Sequence, residues 1–94
     1  MGAAISVDAV PNGQGWECGV EVRDRGTASR HSVRLSPSDL ERWGRPPSES
    51  PESLVTRAFE FLLARESAAQ ILSRFDLEDI QLYFPEFDRE IREP

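Results

Sequence analysis

Lysine is absent: all 11 basic residues among the 94 are arginine. That removes a Schiff-base amine, a phosphate-loop lysine and an acetylation switch from the available chemistry. Cysteine and histidine occur once each, as Cys18 and His31. A lone cysteine forms no intramolecular disulfide, and one Cys with one His closes a zinc site only by recruiting two carboxylates. No pair of metal-ligating residues has the spacing of a known site, so no metal or other cofactor is expected. Long apolar runs are missing too; nothing approaches the ~20 residues that span a bilayer, and no membrane partner is expected. Met1–Val10 has no basic n-region, and Ser6 and Asp8 interrupt its apolar residues, which argues against a signal peptide. A reducing cytoplasm fits the single thiol best.

What is present is the composition of one small globular domain, with 38% hydrophobic and 30% charged residues. A chain of this size supports one modest core. The charge is uneven. Residues 1–46 balance six acids against six arginines, whereas residues 47–94 carry eleven acids and five arginines, so the net −6 sits in the second half. Such a half repels phosphate backbones and anionic membranes and suits a basic partner or plain solvation.

Ile5, Val7 and Ala9 alternate with polar residues, the period-2 mark of a half-buried strand. Pro11-Asn12-Gly13-Gln14-Gly15 reads as a turn. Trp16, Cys18, Val20 and Val22 give a second strand, Asp24-Arg25-Gly26-Thr27 a second turn, and His31, Val33 and Leu35 a third strand. If Asp24 and Thr27 close a two-residue loop, Glu21 faces Arg30 and Glu17 faces Arg34. Opposite charges then pair on the outer face, while Cys18 and His31 share the inner one. The first hairpin stays open, since one loop sets Asp8 against Glu17.

The apolar period changes at Ser36. Ser36-Pro37-Ser38-Asp39 and Ser50-Pro51-Glu52 are helix starts, with serine N-caps and proline at the first helical position. Leu40 and Trp43 share a face of the first helix. Leu54, Val55, Ala58, Phe59, Leu62 and Leu63 form the stripe of the second, with Phe61 off it. Ser67-Ala68-Ala69-Gln70 resembles a capping box leading to Ile71, Leu72 and Phe75. Asp76 can cap a last helix that Pro85 ends.

The expected fold is α+β: a three-stranded antiparallel β-meander followed by three to four short α-helices packed on one sheet face. Within a single domain, 1–36 is the meander, 37–44 a short helix and 45–50 an exposed linker. Residues 51–85 are the helical half, and 86–94 an acidic C-terminal tail or a last turn. Trp16, Val20, Val33, Leu35, Trp43, Leu54, Phe59, Leu62, Leu72, Ile80 and Phe84 are the expected core.

Three candidate sites follow. Cys18 and His31, diagonal on adjacent strands, admit a thiolate–imidazolium pair, although a buried structural cysteine is the plainer expectation. Arg23, Arg25, Arg30 and Arg34 offer a strip for nucleic acid, interleaved with Glu17 and Glu21 and lacking stacking aromatics. Phe61, Tyr83, Phe84, Phe87 and Ile91 are more apolar surface than a short bundle needs; they either complete the core or, where left exposed, form a candidate partner-binding patch rimmed by Glu86, Asp88 and Glu90. Gly13-Gln14-Gly15 leads into a strand, unlike a phosphate-cradling loop.

Several stretches carry a resemblance. Arg30-His31-Ser32-Val33-Arg34-Leu35-Ser36-Pro37 with Leu40 and Trp43-Gly44 is one. Ser50-Pro51-Glu52-Ser53-Leu54-Val55 through Phe59-Glu60-Phe61-Leu62-Leu63 is another. Ile71-Leu72-Ser73-Arg74-Phe75-Asp76-Leu77, Ile80 and Tyr83-Phe84-Pro85-Glu86-Phe87 are the third. Together they resemble a family of small uncharacterised bacterial proteins with no assigned activity. The resemblance implies an intact domain over most of 16–91 and supplies no catalytic residue. The expected function is a cytoplasmic protein-binding or regulatory module without catalysis, its partner another protein or a second copy of itself. The alternatives are a nucleic-acid-associated, antitoxin-like regulator using the arginine face and a small enzyme using Cys18 and His31.

Overall fold

The computed structural model describes residues 3–93; Met1, Gly2 and Pro94, at the ends of the expected meander and tail, lie outside the described residues. β1 (Ala4–Asn12), β2 (Gly15–Asp24) and β3 (Thr27–Leu35) form the meander. They are followed by α1 (Pro37–Trp43), α2 (Pro51–Leu63), a 3₁₀ turn (Ala68–Gln70), β4 (Arg74–Asp76), α3 (Asp79–Tyr83) and α4 (Phe87–Glu90). The fold is α+β, with a mixed four-stranded sheet in the order β1-β2-β3-β4.

Both hairpins close through two-residue loops. Gly13 has φ +63°, and Arg25 and Gly26 have φ +53° and +81°, the positive values that such tight hairpin turns demand. The second register is the expected one, with Glu17 opposite Arg34 and Glu21 opposite Arg30. In the first, Asp8 faces Gly19 and Val10 faces Glu17, so no like charges meet. Pro11, expected in the turn, instead sits in β1 opposite Trp16. The strand tolerates it because β1 is an edge.

Cys18, Val20, Val22, His31, Val33 and Leu35 are buried on the inner face. Against them lies α2, burying Leu54, Val55, Ala58, Phe59, Phe61 and Leu62. Both serine caps form. Ser36 Oγ accepts from Asp39 N at 3.1 Å while Asp39 Oδ2 accepts from Ser36 N at 3.0 Å. Ser50 Oγ accepts from Ser53 N at 3.1 Å.

Three expectations are corrected. The helix over Ile71, Leu72 and Phe75 does not form: after the 3₁₀ turn the chain extends into β4, parallel to β3. Ser32 N donates to Ser73 O and Leu77 N to Arg34 O, so β4 satisfies the far edge of β3. Asp76 therefore ends a strand, and its backbone N–H donates to Asp79 Oδ2 at 3.1 Å. Within the expected core, Leu72 is exposed, and Trp16 and Phe84 are only partly buried. Residues 45–50, the expected linker, carry no helix or strand and are exposed apart from Glu49, which accepts from Arg45 N, Ser53 Oγ and Arg57. Of the two alternatives for 86–94, residues 86–93 take the last turn, with Phe87 and Ile91 buried.

Candidate functional site

The thiol and imidazole come no closer than diagonal neighbours: Cys18 faces Val33 and His31 faces Val20. Cys18 is wholly buried, and burial, reinforced by the charges of Glu52, Asp8 and Glu17, pushes its pKa up to about 11. A nucleophilic cysteine requires the opposite environment. His31 has both ring nitrogens engaged. Its Nδ1 lies 2.8 Å from Leu72 O, and a carbonyl only accepts, so Nδ1 carries the proton. In the neutral ring Nε2 then accepts from Ser29 Oγ at 2.9 Å. With Phe59 packed on it at 5.3 Å, the ring clamps the 3₁₀–β4 connection to β3.

The arginine face is interrupted by acids. Arg23 and Arg30 approach Glu21 at 3.5 and 3.8 Å, and Arg34 bonds Asp76 at 2.8 Å. Glu17 accepts from Ser32 Oγ rather than from Arg34. Arg25 sits apart, at the tip of the β2–β3 turn. The four arginines do not form a continuous positive strip.

The aromatic patch divides in two. Phe61, Phe87 and Ile91, candidates for the binding patch, are core residues. Phe61 makes edge contacts with Phe84 at 5.9 Å and Phe87 at 5.1 Å. The Arg65 guanidinium, held by Glu86 and Glu90, lies 3.6 Å over the Phe61 ring and closes it from solvent. Two expected rim acids, Glu86 and Glu90, are thereby spent inside the fold. Asp88, the third, accepts from Trp43 Nε1 at 3.0 Å.

Tyr83 and Phe84 remain at the surface, and they line a cleft of about 370 Å³. Its floor is buried: Leu62 from α2, Ile71, Phe75 from β4 and Ile80 from α3. Its walls are Leu72, 53% exposed, and Tyr83, 67% exposed, with Phe84 beside them. Glu66, Gln70 and Asp79 form the polar rim. Among the described residues, no basic group lies within ion-pairing distance of Glu66 or Asp79. The cleft lies where the chain leaves the 3₁₀ turn for β4 (Arg74–Asp76): Ile71 is buried and Leu72 exposed on the way. Leu72, Glu66, Gln70 and Asp79 were not among the expected site residues. The available signal was the Ile-Leu pair directly after the capping box of Ser67 and Gln70.

No family model matches the chain, and no match was found among the curated proteins or the solved structures. No helix among the described residues is long and apolar enough to cross a membrane.

Proposed function

We propose that this protein is a binding module without a catalytic step of its own, working in a reducing compartment. Its binding element is the cleft between α2, the 3₁₀–β4 connection and α3. One observation carries the reading: exposed Leu72 and Tyr83 flank a buried apolar floor beneath two unneutralised carboxylates. Exposed aliphatic and aromatic walls over a dry floor suit one large apolar anchor. Glu66 and Asp79, within a half of the chain that carries the whole net −6, favour arginine or lysine beside that anchor. The partner is therefore a protein segment of mixed apolar and basic character. The arginine face lends less to a nucleic-acid role, because acids intercalate among its side chains. A buried thiol with raised pKa lends little to nucleophilic catalysis.

The test is a titration of ¹⁵N-labelled protein with short synthetic peptides carrying Leu or Phe between arginines, or between glutamates. The basic peptide should shift the amides of Leu72, Tyr83 and Phe84 and leave those of β1 in place. Tyr83→Ala should weaken binding about tenfold or more with little change in stability, since the side chain is mostly exposed. Glu66→Gln should weaken it severalfold and reduce its salt dependence. Equal response to both peptides, or shifts away from the cleft, would refute the reading.

A further inference from the structure

β1 is a free edge of unusual completeness. It pairs with β2 without a bulge over nine residues, Ala4–Asn12. Natural edges are usually protected by lysines, bulges or very short strands. Here the one charged residue is Asp8, on the outer face, and the one proline is Pro11, near the end.

The direction of each backbone group follows from the turns. In two-residue hairpins the closing residues, Asn12 with Gly15 and Asp24 with Thr27, form hydrogen-bonded pairs, and such pairs alternate from there. Ala4, Ser6, Asp8 and Val10 therefore bond to β2, and Ile5, Val7, Ala9 and Pro11 turn their backbone groups outward. The same parity in β3 sends the groups of Ser32 and Arg34 away from β2. They do bond on that side, through Ser32 N to Ser73 O at 2.8 Å and Leu77 N to Arg34 O at 2.9 Å. Pro11 also obeys the rule, since its missing N–H falls on the open side. Among the described residues, no backbone group outside β2 bonds to β1.

We infer that this edge pairs antiparallel with β1 of a second copy, about a two-fold axis through Val7. In that register Val7 faces its own copy and Ile5 faces Ala9, and each of these pairs exchanges both N–H···O=C bonds. Ser6 faces Asp8, a neutral donor opposite a carboxylate. Pro11 falls opposite Ala3 at the end of the ladder. Moving the axis to Asp8 sets two carboxylates face to face, and moving it to Ala9 sets Pro11 against Val7 and loses donors. The Val7 axis avoids both conflicts and uses the whole strand. Its side chains agree. Ile5, Val7 and Ala9 pack against the core beside α2 and stay only partly buried at the edge of the sheet. A second copy extends the sheet and covers their open side. The two-fold repeats each contact, as a closed dimer requires. Glu66 of the cleft rim also lines a hollow beside Ala3 and Ile5, but no β1 residue lines the cleft, so either reading can fail without the other.

Sedimentation equilibrium should give twice the 10.6 kDa chain mass, falling toward a single mass on dilution. Val7→Pro removes an outward N–H and leaves the β1–β2 ladder its bonds. It should weaken the dimer about tenfold or more at unchanged near-ultraviolet circular dichroism. A second variant guards against misfolding. Cα atoms of a hydrogen-bonded antiparallel pair lie ~5.5 Å apart, within disulfide reach. Val7→Cys should therefore cross-link rapidly under mild oxidation, and Ile5→Cys, which faces Ala9, should not. Buried Cys18 makes the native chain the uncross-linked control. A single-chain mass at all concentrations would overturn the inference. So would a dimer indifferent to Val7→Pro, or equal cross-linking through Ile5→Cys.

Discussion

At the scale of single residues, the side chains with the most reactive chemistry are ones the fold buries. Cys18 lies under α2 with its thiol pushed up to about 11, first by burial and then by the carboxylates of Glu52, Asp8 and Glu17. Against its ordinary value of 9.0, that shift cuts the thiolate fraction near neutral pH about a hundredfold. Iodoacetamide should accordingly label the native protein at least about a hundredfold more slowly than the urea-unfolded chain, followed as a mass increase with time. Prompt native labelling would return Cys18 to the list of candidate nucleophiles. The strand alternation already placed Cys18 and His31 on the inner face, because parity alone decides that. What His31 does there was hidden: its Nδ1 partner, Leu72 O, lies 41 residues away, and no local pattern reports a contact of that range.

At the scale of elements, the meander was legible and the segment after α2 was not. Two signals agreed on the β2–β3 register, the facing charges Glu21/Arg30 and Glu17/Arg34 and the alternation of apolar residues. Serine followed by proline marked α1 and α2, and both caps form as hydrogen bonds. β4 spans three residues, too few to show a period, and its parallel partner is remote in sequence. Ile71 and Phe75, four apart, imitate a helix face, but they are inward steps on either side of an exposed stretch that bends at Ser73. Three of the five aromatic-patch residues, Phe61, Phe87 and Ile91, are buried, and which of the five would be was not legible: Phe61, for one, is closed off by Arg65 folding over it. Two glycines of β2 separate strand propensity from strand packing. A Cβ on Gly15 would sit 2.3 Å from Leu35 O, a backbone atom, whereas one on Gly19 would meet nothing within 4 Å. Gly19→Thr should raise stability by about 0.5–1 kcal/mol through β-propensity. Gly15→Ala should lower it, both read from urea midpoints. The reverse order would mean that the turn does not bring Leu35 against β2 as described.

At the scale of the molecule, the helical half is joined by arginines that composition portrays as surface. Arg57 on α2 donates to Glu49 and to the carbonyls of Trp43 and Ile91, so one guanidinium links α1, residues 45–50 and the C-terminal turn. The two side chains are only 15% and 8% exposed. Asp88 ties the same parts from the other side, accepting from Trp43, Arg42 and Arg92 at 3.0, 3.1 and 2.8 Å. A proline- and serine-rich stretch reads as a linker because composition cannot show that Glu49 meets a cation eight residues on. Removing the cation alone leaves a buried carboxylate without a countercharge and takes a donor from each of two carbonyls. Arg57→Ala should therefore cost about 3–5 kcal/mol, a large share of the stability of a domain this size. Arg57→Met with Glu49→Leu should recover part of that, since the charge is then gone as well. Acid probes the same joint. The hydrogen bonds from Arg57, aided by Ser53 and Arg45 and opposed by burial, hold the Glu49 carboxyl down to about 2, against an ordinary 4.5. A depressed carboxyl stabilises the fold above its unfolded value and ceases to do so as pH falls through its folded one. Stability should thus decline between about pH 5 and about pH 2, with roughly 2 kcal/mol of the loss due to this group after allowance for solvent screening. Glu86 and Asp88 are also held below the usual carboxylate range, so Glu49→Gln should shallow the decline without abolishing it. Urea midpoints for native protein and Glu49→Gln near pH 7 and near pH 3 measure the difference. Parallel losses in the two proteins would remove Glu49 from the joint.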